Sequence, residues 1–185
     1  MLKKAIIILI GIILLASCQS GKPLKRVKND NFMFAMIYDH DNTPVSAVSV
    51  SINGKRITDS DIQGRFILDN MKKGDYNVKL VKRGYETLED TFTFDPMNVL
   101  YFKMINSSQL VTLAESALDN REFIIAENFI NRALVLEPNR PDILFLKGIT
   151  CHLQGKNEEA LLILENLIKT GNTNPFITQL FESLR

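Results

Sequence analysis

Two thiols, two imidazoles and two acidic loops are the groups in this 185-residue chain with the chemistry to act. The thiols are Cys18 and Cys151, and the imidazoles are His40 and His152. Cys151 and His152 are neighbours in sequence. On a helix adjacent side chains leave ~100° apart, so they form no thiolate–imidazole dyad, and Cys151 reads as a small core residue. Asp39, His40 and Asp41 in one loop and Asp59 and Asp61 in another offer hard oxygen ligands of the kind Ca²⁺ takes about six to eight of. Their spacing is not that of an EF-hand, and no acid follows at the loop end. Aspartates and asparagines also make turns by hydrogen-bonding their own backbone. The expectation is turn chemistry, with no metal ligand and no cofactor. The chain has no Ser/His/Asp set, no metal-ligand spacing and no phosphate loop, so it is read as a non-enzyme.

Cys18 is different, because the residues around it are ordered along the chain. Lys3 and Lys4 form a short positive segment, and Ala5 to Leu15 is an uncharged apolar run. That run is too short to cross ~30 Å of hydrocarbon as a stable helix and fits a secretory signal instead. Leu15-Ala16-Ser17-Cys18 closes it and resembles the lipobox of bacterial lipoproteins. The resemblance covers residues 1–18. It implies that a diacylglycerol is attached to the Cys18 thiol, that the chain is cut before it, and that acyl chains then hold the protein to a membrane almost permanently, each buried methylene contributing ~0.8 kcal/mol. The other readings are a cleaved signal with an incidental cysteine and an uncleaved helix. Gln19 stands where enterobacterial lipoproteins retained in the inner membrane carry Asp. The resemblance therefore favours the outer membrane, with the body facing the periplasm or the cell exterior.

Without residues 1–17 the 185-residue chain keeps 168, enough for one domain or two small ones. Losing Lys3 and Lys4 takes Lys+Arg from 22 to 20 against 21 acids, so no broad basic surface argues for nucleic acid. With Cys18 lipidated, Cys151 has no partner for an intramolecular disulfide, and the fold rests on packing. Residues 18–29 read as a lipidated tether. Lys22, Lys25, Arg26 and Lys28 occur there without an acid, and Gly21 and Pro23 break regular structure. The bases are either attracted to anionic headgroups, at ~1 kcal/mol each, or form a solvated spacer.

From residue 30 to 105 the pattern has period two. Phe32, Phe34, Met36 and Tyr38 alternate with Met33, Ala35 and Ile37 in a first strand apolar on both faces. Val48, Val50 and Ile52 alternate with polar residues, and Asn53-Gly54 is a hairpin signal because both residues tolerate positive φ. Further strands are predicted at Arg65–Leu68, Tyr76–Val81, Glu86–Phe94 and Val99–Met104. Short strands at this spacing argue for a small antiparallel β-sandwich. The order of Tyr38-Asp39, Thr43-Pro44-Val45, Ile52-Asn53-Gly54, Ser60-Asp61-Ile62-Gln63-Gly64-Arg65-Phe66, Lys73-Gly74-Asp75-Tyr76 and Arg83-Gly84-Tyr85 resembles the carboxypeptidase regulatory-like domain. That resemblance implies a seven-stranded prealbumin-like sandwich without catalytic residues. Asn42 and Ser46 stand where the family usually has glycines.

From residue 106 to 185 the period becomes 3.6. Ser108 is expected to cap a helix to about Leu118, a second helix spans Glu122–Leu136, and the plan recurs 34 residues later. Leu110, Ala114, Ala117, Arg121, Ala126 and Ile130 correspond to Leu144, Gly148, Cys151, Gly155, Ala160 and Leu164. A 34-residue helix–turn–helix period resembles the tetratricopeptide repeat. Phe176–Leu184 reads as a closing helix. The family's concave, peptide-binding face would here hold Val111, Glu115, Leu118, Asp119, Phe145, Ile149 and His152, without a basic pair for a terminal carboxylate. These side chains either receive a partner or pack on the closing helix or the β region.

The fold class read from sequence is thus α+β in two domains, a small antiparallel β-sandwich followed by a tetratricopeptide-like helical hairpin array. The expected function is a membrane-anchored, non-catalytic adaptor or scaffold for envelope proteins. The alternative is a glycan- or peptidoglycan-binding module acting through the sandwich.

Overall fold

The computed structural model describes residues 31–172 and 174–185; the leader and tether, Cys18 included, lie outside the described residues. Phe32 to Arg185 forms one compact unit of α+β type, a region of two β-sheets followed by five helices.

The strands are β1 (Phe32–Asp39), β2 (Ser49–Ile52), β3 (Lys55–Asp59), β4 (Arg65–Asp69), β5 (Gly74–Val81), β6 (Leu88–Phe94) and β7 (Val99–Met104). One sheet has the order β4-β1-β7 and the other β3-β2-β5-β6. Their alternate residues meet in one core. Met33, Ala35 and Ile37 of β1 are fully buried there with Val50, Leu68, Val78, Leu80 and Phe94, and the buried Phe66 and Phe102 rings stack at 6.2 Å.

The sheets are not wholly antiparallel. β1 pairs with β7 in parallel, from Phe34 opposite Val99 to Asp39 opposite Met104. The reason is parity. Each of the six connections reverses the chain, so all odd-numbered strands run the same way. When β1 and β7 become neighbours, their pairing has to be parallel. The sequence shows the reversals but not which strands become neighbours. The parallel register also separates the two ends of the sandwich. The chain joins β1 at Phe32 and leaves β7 at Met104, which lies beside Asp39 at the other end. At ~3.3 Å per residue, an eight-residue strand puts these ends roughly 25 Å apart.

Turn chemistry sets the loops. Asn53 and Gly54 have φ of 47° and 79°, the pair of left-handed residues that a tight hairpin needs. Gly64 has φ 72°, and a Cβ on it would collide with the Ile37 carbonyl oxygen. Ser60 is buried, and its hydroxyl accepts from Val48 N (3.0 Å) and donates to Val45 O (2.8 Å), fastening the β1–β2 loop to the β3–β4 loop.

The helices are α1 (Ser107–Asp119), α2 (Phe123–Leu136), α3 (Pro141–Leu153), α4 (Asn157–Lys169) and α5 (Pro175–Leu184). Asn106, not Ser108, caps α1. Its side chain accepts from Gln109 N at 2.9 Å while the Gln109 side chain accepts from Asn106 N, a reciprocal capping box. The 34-residue period is visible in the turns. Between α1 and α2, Asn120, Arg121 and Glu122 N–H groups donate to Ser116, Leu118 and Ala117; between α3 and α4, Gln154, Gly155 and Lys156 donate to Thr150, His152 and Cys151. Arg121 and Gly155 both take left-handed φ, 61° and 77°. Ala126 and Ala160 are both buried at the matching point of the second helices. At Gly148 an added methyl would sit 3.4 Å from Leu164, an ordinary contact, so the methyl of its counterpart Ala114 would fit there as well.

The sandwich and the helices are joined without a free linker. Tyr85 bridges Asn106, Glu86 N donates to Ile105 O (2.9 Å), and Ser107 N donates to Gly84 O (3.1 Å). Gln109 Nε2 donates to Asp41 Oδ2 at 2.6 Å. Arg132 on α2 grips both oxygens of Glu86 at 2.8 and 2.7 Å. Hydrogen bonding to that guanidinium holds the Glu86 carboxyl below the ordinary glutamate range. A carboxyl depressed by folding adds stability above its unfolded pKa and loses it as pH falls through the folded one. Glu86→Gln is therefore expected to destabilise the protein at neutral pH by on the order of 1 kcal/mol, as for a partly exposed pair. The difference from the parent should vanish in acid below the carboxylate range. Urea melts at the two pH values check this, and a pH-independent difference would assign the loss to packing.

Candidate functional site

The face expected to bind a partner is built from α1 and α3. The structure places Glu115 and Asp119 in solvent and leaves Val111, Leu118, Phe145, Ile149 and His152 half-buried. Val111 packs against the Leu110, Ala114 and Ile130 cluster, while Phe145 packs on Leu164, Leu167 and Ile177, the cluster that seats α5. Phe145 thus already has an internal role. His152 Nδ1 lies 2.9 Å from Asn157 Oδ1 and spans the α3–α4 turn. What is left facing outward is apolar surface beside the Glu115 carboxylate, suited to an apolar peptide or helix and not to an anionic terminus.

Nearby charges are committed to the structure. Arg140 bonds Glu137 (2.7 Å), Asp142 (2.9 Å) and the Ser107 and Ser108 hydroxyls (3.2 Å each), tying the start of α1 and the end of α2 to the start of α3. These bonds hold Glu137 low and Arg140 high. Burial pushes the Cys151 thiol above its ordinary value, away from the reactive thiolate.

The acidic loops do turn chemistry. Asp39 Oδ1 accepts from Asp41 N and Thr43 N, both at 2.9 Å. Asp61 Oδ1 accepts from Gln63 N and Arg65 N, both at 2.8 Å, and Arg56 chelates Asp59. Among the described residues no group of three or more His, Cys, Asp or Glu is placed to hold a metal ion.

A second surface lies on the outer face of the β4-β1-β7 sheet. Ile67, Phe34 and Val99 stand side by side across the three strands, and Met36 pairs with Tyr101 in the next row. Ile67 is 52% exposed, Phe34 45%, Val99 44% and Tyr101 67%. The Phe32 ring meets Phe34 edge-on at 5.2 Å. Met97, 90% exposed, sits in the β6–β7 turn just before Val99. This row escapes a sequence reading because β1 is apolar on both faces. The signal was there in Ile67, Val99 and Tyr101, which share its parity in their own strands.

No known family model matches the chain, and no curated protein matches it. Among solved structures, part of the chain is similar to the Bacillus anthracis TIE protein, at 16% identity over 41% of this chain and 16% of that one, TM-score 0.36. Part is similar to BcpA, the major pilin subunit of Bacillus cereus, at 12% identity over 41% of this chain and 28% of that one, TM-score 0.33. The 3-chlorocatechol 1,2-dioxygenase from Rhodococcus opacus is similar at 12% identity over 42% and 61% of the two chains, TM-score 0.29. The chain spans less than two thirds of each, and at these scores the likenesses define no family for it.

Proposed function

We propose that the protein is a non-catalytic bacterial lipoprotein, anchored through Cys18, that presents a tetratricopeptide-like helical array to protein partners in the cell envelope. The β region is then a carboxypeptidase regulatory-like sandwich acting as a spacer. The observation that carries this reading is the parallel β1–β7 pairing. It puts the end where the upstream chain joins and the end where the helices start at opposite poles of the sandwich. A tether that enters at Phe32 therefore does not compete with the array for the same pole. The 34-residue recurrence of turn hydrogen bonds and left-handed residues supports the repeat assignment. The outer membrane, with the body in the periplasm or outside the cell, is the proposed location.

Crosslinking with mass spectrometry on intact cells tests it. Crosslinks from 106–185 to specific envelope proteins are expected to disappear in Cys18→Ala. Ile149→Ala with Glu115→Arg should weaken them by roughly tenfold, the size of a modest interface contribution, without changing the melting temperature. Phe145→Ala is a poor probe because it also unseats α5. Crosslinks that survive both changes would remove the array face from the proposal.

The alternative, glycan or peptidoglycan bound through the sandwich, gains one observation in the exposed rings of Phe34 and Tyr101. Beside them Ile67, Val99 and Met36 offer sugar hydroxyls no strong hydrogen-bond partner, the Arg65 guanidinium in the Met36 row is bonded to Asp61 at 2.9 Å, and Asp69 opposite Phe32 is the carboxylate a sugar would meet.

A further inference from the structure

We infer that the outer face of the β4-β1-β7 sheet is a membrane-seating surface, on which the sandwich rests against the lipid headgroup–acyl boundary beside its own anchor. The inference deepens the lipoprotein reading and rests on it.

Three observations select lipid as the occupant. The first is chain connectivity. The apolar row of Ile67, Phe34 and Val99 lies toward the Phe32 end of the sheet, and the exposed Met97 lies in a turn at that same end. Only 13 residues separate Phe32 from Cys18, which bounds their span at about 45 Å of extended chain and keeps the face within reach of an anchored bilayer. The second is composition. The face combines aromatic rings, a thioether and branched aliphatics with the Tyr101 hydroxyl, and charges stand on the edge strand β4, where Asp69 lies opposite Phe32 and Arg65, bonded to Asp61 at 2.9 Å, lies opposite Met36. Amphipathic rings of this sort favour the interface, where one end is apolar and the other wet. The third is charge. Lys22, Lys25, Arg26 and Lys28 precede β1 against one acid, Asp30, between residues 19 and 31, and Lys103 stands beside Tyr38 on the same face. A basic approach to an apolar face is complementary to anionic phospholipid. The helices join at the opposite end and do not cover this face's lower rows.

The chain contains no tryptophan, so one introduced indole reports its own surroundings. Tyr101→Trp and Phe34→Trp place it on the sheet face, and Val135→Trp, at a position 80% exposed on α2, is the control. Each full-length protein is isolated from bacterial membranes and reconstituted into phosphatidylethanolamine–phosphatidylglycerol vesicles with brominated acyl chains. The two sheet tryptophans are expected to lose about half or more of their emission and to shift to the blue, as interfacial indoles do, while Val135→Trp stays unchanged. Protein that sediments with the vesicles but shows no quenching on the sheet overturns the inference and leaves the anchor standing. Protein that does not sediment overturns the anchor, and the inference falls with it. A blue shift that appears without vesicles, together with a doubled mass in detergent, makes the face a contact between copies. Quenching relieved by soluble peptidoglycan fragments makes it a glycan site. Either result also overturns the inference.

Discussion

Gly64→Ala is expected to lower stability by about 3–4 kcal/mol, which for a domain of this size is a fall of roughly 6–16 °C in melting temperature. Two costs add. A non-glycine residue at φ 72° is worth ~1–2 kcal/mol. The new Cβ would also press on the Ile37 carbonyl, which accepts from Val45 N at 2.9 Å, while Gly64 O accepts from Ile37 N at 2.8 Å. Moving either backbone loosens two buried hydrogen bonds, each worth ~1 kcal/mol net. Gly54→Ala separates the two costs. Its φ is 79°, but nothing lies within 4 Å of the added atom, so only the dihedral penalty of ~1–2 kcal/mol should appear. Thermal and urea melts of both variants make the comparison. Equal losses would mean that the close approach contributes nothing.

That glycine shows how the sequence could be read in part. Gly64 was legible as a turn, and Asn53-Gly54 as a hairpin, because left-handed backbone leaves a mark in residue type. The mark is weaker elsewhere. Asn42 supplies a left-handed residue where the resembled family has glycine, and the second such position falls on Ala47, one residue beyond Ser46. Arg121 holds a left-handed turn with no glycine to announce it, and only its 34-residue correspondence with Gly155 gives it away. The helices were legible almost to the residue because their apolar period is strong and Pro138 interrupts it. The cap was misplaced, since Asn106, Ser107 and Ser108 are all good capping residues and only the Gln109 reciprocal bond selects the first.

Six strands were legible as strands, and β3 (Lys55–Asp59) only as the far arm of the Asn53-Gly54 hairpin; beyond that hairpin the neighbours were not legible. Burial of one face normally fixes which residues turn inward. In β1 both parities are apolar, so the sequence could not say that Met33, Ala35 and Ile37 form the core while Phe32, Phe34 and Met36 line the outside. That ambiguity follows from the surface itself, since a face left apolar on the outside reads like a core. The parallel β1–β7 pairing depends on contacts between strands about 65 residues apart, which no local pattern encodes. The expected partner face suffered in the opposite sense. Helical periodicity placed Phe145 correctly on α3 and left open a partner, the closing helix or the β region as what covers it; the structure puts α5 there.

Ile143→Ala is expected to cost ~2–5 kcal/mol and to loosen α3 to α5 in preference to the sandwich. Ile143 is fully buried, and with the partly buried Leu146 beside it brings α3 into one cluster with Leu110 and Ala114 of α1 and Ile130 and Ala133 of α2. The next cluster, around Leu164, Leu167 and Ile177, involves α3 through Leu144 and Phe145. Ile143 is therefore a hinge pin between successive hairpins, and in an array stability is carried by such nearest-neighbour contacts. Hydrogen exchange gives the measurement. Amides of α3, α4 and α5 should exchange faster by a factor set by the lost free energy, while β1, β4 and β7 keep their protection. Ile124→Ala, at a position 82% exposed on α2, should stay within about 0.5 kcal/mol of the parent. If Ile143→Ala instead loosens strands and helices equally, the bonds of Arg132 with Glu86 and of Gln109 with Asp41 weld the two parts into one cooperative unit. Any partner held by the α1–α3 face would then be coupled through that weld to the sandwich, so that loading the array would pull on the end of the protein farthest from Phe32.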